Sequence, residues 1–439
     1  MRDPIGRVEV TADSVLRHAY APLPDPHFLD SSSSADLVRR GLLTPYEFES
    51  RSLIRVRKVG FATYPWEWTH GQFLQAAGTT LDVAEAALSA GQELKDASAF
   101  NVLFERDRPE FCDHFSLQPI QRRQWWAYGQ FLRHFVFPLA ASRHRGMEPA
   151  DVFKVCLDGL SPESTRALLG AKRWTTRVGL SLMQSSSKAA ASVAATSTAS
   201  TDAPMKPLHQ GLIDFLRWQL AGLHRAPRAS MWATYEQTRS HYQTSGLEHK
   251  REIVARWLSG VSPSWVADLG CNRGEFSLIA VDIASSGVIA VDADMPAIER
   301  LRTRLTGNTP IYTVCAGLDD LSPGRGWMGQ EYRGLVQRLG AQADVTMALA
   351  LIHHLAIGCS IPLKEVAELL AECTRRHLIV EYLDHQDPMV QELLSNRDRV
   401  DGISFAMEAQ RDALQEHFRT LEEVPLVGSL RRLALLEKL

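Results

Sequence analysis

From about Leu208 onward, short and nearly continuous apolar runs alternate with segments whose apolar residues recur every three or four positions. A strand covered on both faces meets protein whichever way a side chain points, so it shows no polar alternation. The runs "WVADLG", "VIAVDA", "IYTVCA", "ADVTMALAL" and "HLIVEY" therefore predict five buried strands. Their alternation with helical patterns predicts a parallel sheet. Helices are expected over "MPAIERLRTRL", with Pro296 in the first turn, and over "PLKEVAELLAECTRR", where Val366, Leu369, Leu370 and Cys373 share a face behind Pro362. After the fifth strand come helical "DPMVQELLSN" and "EAQRDALQEHF", then "LEEVPLV" and "RRLALLEK" around a Gly-Ser turn, a terminal antiparallel hairpin.

The first half is patterned less regularly. "KVGFATYPWEWTHGQFLQAAGTTLDVAEAALSAG" reads as a strand, a short connection and a helix with Leu81, Ala84 and Leu88 on one face. "RRQWWAYGQFLRHFVFPLA" holds Arg122, Arg123, Trp125, Trp126 and Tyr128, and its helical spacing favours core packing over a base-stacking surface. Between the halves, "SSSKAAASVAATSTASTDAP" has almost no large side chains to bury and reads as a linker. A chain of 439 residues exceeds one ordinary core. Two domains are expected, 1–184 and 208–439, with 185–207 joining them.

Composition narrows the function classes. Hydrophobic content of 45% with 23% charged residues is that of a globular protein, and 48 basic against 51 acidic residues give no overall basic field for nucleic acid or an anionic membrane. A local patch stays open. The six cysteines form no CxxC pair, so no zinc knuckle or redox motif is spelled out and no metal site is expected. The N-terminus lacks a signal-peptide core, and no apolar run is long enough to span a bilayer, so a cytoplasmic protein is expected.

The informative stretch is "VADLGCNRGEFS", Val266 to Ser277. In an open α/β sheet the ligand lies beyond the carboxyl ends of the strands, beside the first strand-to-helix turn, which is where Asp268, Gly270 and Gly274 fall. A dinucleotide loop would read GxGxxG and offer a helix N-terminus to a pyrophosphate, whereas this loop is GxxxG behind a carboxylate that repels phosphates. The ligand should be cationic or zwitterionic. Asp292 ends the second strand in "VIAVDAD", where a carboxylate can accept hydrogen bonds from both hydroxyls of a ribose. A nucleoside without phosphates is implied, and S-adenosylmethionine meets each requirement.

"DLGCNRG", "VDAD" and "LALIHHL" resemble, in order and spacing, the cofactor motifs of class I S-adenosylmethionine-dependent methyltransferases. The resemblance implies a Rossmann-like seven-stranded sheet with an antiparallel last strand in the C-terminal half. It implies Asp268, Gly270, Asn272 and Gly274 at the methionine end, Asp292 on the ribose, and Asp319 or Asp320 of "CAGLDDLS" near the adenine. Asn272 stands where a third glycine is common. His353 and His354 follow the fourth strand, where either could serve as a base or remain a structural residue. Glu381, Tyr382, Asp384, His385 and Asp387 fit pocket-lining or capping better than metal binding, and Trp232, Tyr235, His241 and Tyr242 fit a lid or ordinary packing.

In the first half, "LKDASAFNVLFERDRPEFCDHFSL" spaces Asp96, Asn101 and Asp113 in a way that resembles the catalytic loop and metal-binding Asp of protein-kinase-like phosphotransferases. Lys95 replaces the usual Arg, His114 and Phe115 replace Phe-Gly, and no glycine-rich lid precedes the loop. An α+β domain of degenerate kinase-like fold, an unrelated accessory fold, and turn-forming roles for Asp96 and Asn101 all remain open. The whole chain is similar, more loosely, to nodulation-associated bacterial methyltransferase-like proteins through "YPWEW", "LKDASAFN", "DLGCNRG" and "HHLAIG". The expected activity is methyl transfer to a small-molecule, glycan-like or peptide acceptor. A cofactor-binding scaffold and a phosphotransferase are the alternatives.

Overall fold

The computed structural model describes residues 5–25, 27–122, 124–184, 205–226, 244–395 and 405–439. The chain divides into two compact units, Met1–Ala226 and Pro227–Leu439. Both mix helix and strand, so the α/β class holds.

In the first unit, β1 (Gly6–Val10), β2 (Ser14–Ala19), β3 (Tyr46–Ser50) and β4 (Leu53–Arg57) form an antiparallel sheet in the order β1-β2-β4-β3. The long helix α1 (His70–Ser89) starts where the sequence can close its first turn. The Thr69 hydroxyl accepts from the Gln72 N–H, and the Gln72 side chain accepts in return from the Thr69 N–H. Leu81, Ala84 and Leu88 are buried on its inner face, as their spacing predicts. Four short strands follow, β5 (Gln92–Leu94), β6 (Val102–Glu105), β7 (Arg108–Phe111) and β8 (Leu117–Pro119), paired as β5-β8 and β6-β7.

The helix α2 (Met205–Ala221) also belongs to the first unit. Arg217 of α2 donates to Asp82 and Glu85 of α1 at 2.7 and 2.9 Å. The expected boundary at Leu208 is therefore corrected. Composition marks where large side chains become scarce, whereas packing assigns the helix beyond that stretch to the first core. Residues 185–204 of the expected linker lie outside the described residues, as do Trp232, Tyr235, His241 and Tyr242 of the expected lid.

The second unit begins with α3 (Thr244–Val261) and continues β9 (Trp265–Leu269), α4 (Glu275–Val281), β10 (Gly287–Asp292), α5 (Met295–Arg304), β11 (Ile311–Cys315), α6 (Leu335–Gln342) and β12 (Val345–Ala348). It ends with α7 (Leu363–Glu372), β13 (His377–Tyr382), α8 (Pro388–Ser395), α9 (Met407–Gln415), β14 (Phe418–Pro425) and β15 (Arg432–Lys438). The seven strands lie in the order β11-β10-β9-β12-β13-β15-β14. The first five run parallel, and β15 pairs antiparallel with both neighbours.

Two consequences position the site. Strand order reverses direction at β9, with β10 on one side and β12 on the other, so the crevice of an open sheet opens beyond the end of β9. Because Tyr382 pairs with Arg432, the hairpin turn before β15 comes to the carboxyl end of β13, on the same edge. The fourth strand is shorter than its apolar run. It stops at Ala348, Ala350 takes a φ of 51°, and a helical turn, His354–Gly358, follows.

Candidate functional site

The loop after β9 is built from three left-handed residues, Gly270, Asn272 and Gly274, with φ of 73°, 51° and 75°. Asparagine is among the few side-chain-bearing residues that enter this region readily. This is how the loop keeps its bend without a third glycine. The bend turns the Asn272 N–H onto Asp292 Oδ2 at 2.7 Å, while the Asp294 N–H donates to Oδ1 at 2.7 Å. A carboxylate offers about four acceptor sites, so these two bonds leave capacity for a pair of hydroxyls. Burial pushes the Asp292 carboxyl up, and the two backbone donors work against it.

A cavity of about 480 Å³ opens over this edge, walled by the ends of β9, β10 and β12. Asp268, Gly270, Asn272, Asp292, Asp319, His353 and His354 all line it. Two expected residues do not. Asp320 is exposed and outside the cavity wall, so of the adjacent pair only Asp319 faces it. Gly274 caps α4 from beneath, where an added Cβ would come within 2.4 Å of Leu301 Cδ1 of α5. It serves close packing of α4 on α5 and does not line the cavity.

Asp268 is buried and accepts from the Ser277 hydroxyl at 2.5 Å. Burial raises its carboxyl to about 6; the Ser277 hydroxyl opposes the rise and the charge of Asp292 adds to it. Across the cavity the two imidazoles lie with centroids 4.0 Å apart. His353 is 1% exposed, and its Nδ1 has no hydrogen-bond partner among the described residues. Burial holds His353 well below the usual histidine range, helped by His354, Arg431 and Lys250. Burial, then Arg431, brings His354 down to about 4. In both rings burial favours the neutral form.

Beside the histidines lies a buried ionic cluster that the sequence pattern did not reveal. Lys250 Nζ of α3 meets Glu381 Oε2 of β13 at 2.5 Å. Arg431, from the hairpin turn, holds Asp387 through Nε at 2.7 Å and through a second nitrogen at 3.0 Å, and approaches Glu381 at 3.5 Å. Asp387 also caps α8, accepting from the Met389 N–H at 2.9 Å. Lys250 and Arg431 line the cavity, whereas their carboxylate partners Glu381 and Asp387 do not. His385 and Asp384 form a surface pair at 3.0 Å.

A parallel sheet in this strand order, an acidic strand end before a left-handed glycine bend, and a carboxylate tied to that bend are now all in view. The second unit resembles the class I S-adenosylmethionine-dependent methyltransferases. No family model matches the chain. Over its full length it is 26% identical to nodulation protein NoeA of Rhizobium meliloti (strain 1021), 95% of which is covered. Among solved structures, the N-methyltransferase NodS of Bradyrhizobium japonicum WM9 matches 45% of this chain and 98% of its own, at 13% identity and a TM-score of 0.33. Magnesium protoporphyrin IX methyltransferase of Synechocystis PCC 6803, solved with SAH bound, matches 52% of this chain and 94% of its own, at 14% identity and a TM-score of 0.33.

In the first unit the residues that resemble a phosphotransferase loop are engaged locally. Asp96 Oδ1 accepts from the Ser98 N–H at 2.9 Å, and Asn101 Nδ2 donates to the Asp96 carbonyl at 3.4 Å. These are the bonds of a turn. Asp113 is held by Arg17 of β2 at 2.8 Å, with both side chains largely buried. Among the described residues, no group of three or more His, Cys, Asp or Glu side chains could hold a metal ion.

Proposed function

We propose that the second unit binds S-adenosylmethionine in the cavity over β9, β10 and β12 and transfers its methyl group to an acceptor that enters beside the histidines. The observation that carries this reading is the bond from the Asn272 N–H to Asp292 Oδ2, which ties the glycine bend to the one carboxylate suited to a ribose. In this reading Asp292 accepts from the sugar hydroxyls and Gly270 and Asn272 wrap the amino-acid end. The Asp268 charge faces the cofactor's positive groups, and Asp319 borders the adenine. Bound there, the cofactor would supply a methyl carbon activated by its sulfonium.

The chain's own contribution is then alignment and proton management. His353 Nδ1, buried and without a hydrogen-bond partner among the described residues, would orient the acceptor by taking a hydrogen bond from its O–H or N–H. Lys250 and Arg431, which line the cavity, are already paired with Glu381 and Asp387, in keeping with an uncharged small-molecule, glycan-like or peptide acceptor.

Isothermal calorimetry with S-adenosylmethionine and S-adenosylhomocysteine tests the placement. Asp292→Ala should weaken both at least about a hundredfold, the loss of two charge-assisted hydrogen bonds. Wild-type affinity in that variant would refute it. A mass gain of one methylene in an extract treated with the protein and labelled cofactor would identify the acceptor.

A further inference from the structure

The chain's near-neutral charge conceals a local arrangement on the first unit. Helix α2 buries His209, Ile213, Leu216 and Leu220 along one flank. On another flank Leu208 and Trp218 are exposed, and Phe215 stacks on Trp218 with centroids 5.8 Å apart. An isolated surface leucine needs no explanation, whereas an aromatic and aliphatic flank on a helix whose core face is already satisfied does.

Cations attend the aromatic rings. Arg177 lies 4.8 Å from the Trp218 centroid and also donates to the Trp218 carbonyl at 2.6 Å. Arg173 lies 4.8 Å over Trp174, and Arg122 lies 4.0 Å over Trp126. The three rings are 44%, 64% and 51% exposed. No carboxylate pairs with any of these three arginines among the described residues. Two of the groups are linked along α2: His209 near its start bonds the Arg122 carbonyl at 2.9 Å, and Gln219 near its end bonds the Arg177 carbonyl at 3.0 Å. Helix Gly179–Gln184 adds exposed Leu180 and Met183 and is pinned to α2 by Ser181 and Gln219. Asp214, also on α2, is engaged by Gln210 at 3.1 Å. Leu208 and Trp218 are ten positions apart on α2, about 15 Å along its axis.

We propose that this strip docks the chain on an anionic lipid surface, with α2 lying in the interface. Exposed tryptophans suit the headgroup region, arginines suit lipid phosphates, and the aliphatic side chains suit the first acyl carbons. Leu180, Met183 and Leu208 would gain nothing against an RNA backbone. A symmetric second copy would bring Arg122, Arg173 and Arg177 against like charges. No helix among the described residues is long and apolar enough to cross a membrane, so the contact would be peripheral.

Cosedimentation of the full chain with vesicles decides the matter, using phosphatidylcholine alone and phosphatidylcholine mixed with phosphatidylglycerol. The protein should pellet with the mixed vesicles at low salt, stay in solution with phosphatidylcholine, and be released by high salt. The double variant Arg122→Glu, Arg177→Glu should bind the mixed vesicles at least about tenfold more weakly, with an unchanged circular dichroism spectrum. Trp218→Ser should bind more weakly without altering salt dependence, a second variant should the first misfold. Absence of binding, equal binding to both vesicles, or variants that bind like wild type would overturn the proposal. So would a dimer in light scattering that the charge reversals dissociate, or capture of an RNA oligonucleotide in place of vesicles.

Discussion

Asp268 sets stability against the binding role proposed for it. Its carboxyl is raised to about 6, so the folded chain holds the proton more tightly than the unfolded chain does. The penalty for ionising it is absent at low pH, grows as pH rises from roughly 4 to 6, and is complete above that. Asp268→Asn keeps an acceptor for Ser277 and removes the charge. It should stabilise the protein at neutral pH by about 2–3 kcal/mol at most and change little near pH 4, as urea denaturation at the two pH values would show. Cofactor affinity should move the other way. A cationic ligand favours the ionised carboxylate, so wild-type affinity should fall as pH drops through about 6. His354, brought down to about 4, titrates below that limb. A pH-independent affinity in wild type would remove Asp268 from the binding role. At this scale much was legible: an acid closing an apolar run, and a second acid closing the next, need no structure to notice. The duties of Asn272 and Gly274 were less so, because φ values and the approach of Leu301 arise only when helix and strand pack.

Among the elements, α3, β13, α8 and the β14–β15 turn are joined by charges far apart in sequence. Lys250 follows the helical period of Val254, Trp257 and Leu258, all buried, which puts a cation on an apolar face. That anomaly is visible in the sequence, but its partner Glu381 lies 131 positions away and periodicity cannot pair them. The local elements were legible because each strand's burial is written in its own run of apolar residues. The cluster was not, because it exists only once β15 inserts between β13 and β14 and brings Arg431 to the end of β13. A buried pair is costly to break because the survivor keeps its desolvation penalty. Lys250→Met should therefore cost about 3 kcal/mol, toward the lower end of such effects because Arg431 still faces Glu381. Lys250→Met with Glu381→Gln should recover most of that loss. If urea denaturation finds the two single changes additive, the pair is not coupled.

On the scale of the whole chain, the two units pose two candidate chemistries, and their geometry favours one. The second has a cavity with convergent polar groups and perturbed acids and bases, the usual mark of a binding site. The phosphotransferase-like spacing of Asp96, Asn101 and Asp113 persists in the first, but the side chains are spent. Asp96 and Asn101 complete a turn, and Asp113 is neutralised by Arg17, a fixed cation where a phosphotransferase would need a metal. Spacing alone could not expose this, because Arg17 lies 96 positions upstream on a strand whose place in the sheet only the fold decides. In calorimetry with the full chain, ATP with magnesium should give no binding heat, while S-adenosylhomocysteine gives a saturable signal in the same preparation. The difference should reappear in thermal stability. S-adenosylhomocysteine at a hundredfold excess over its Kd should add about 2.7 kcal/mol to the transition it binds, and ATP should add nothing. Magnesium-dependent ATP binding would mean that Arg17 yields Asp113 to a metal, and Arg17→Ala should then tighten it further. Absence of ATP binding in both wild type and Arg17→Ala would leave the Asp96–Asn101 loop as a turn and the second unit as the seat of the chemistry.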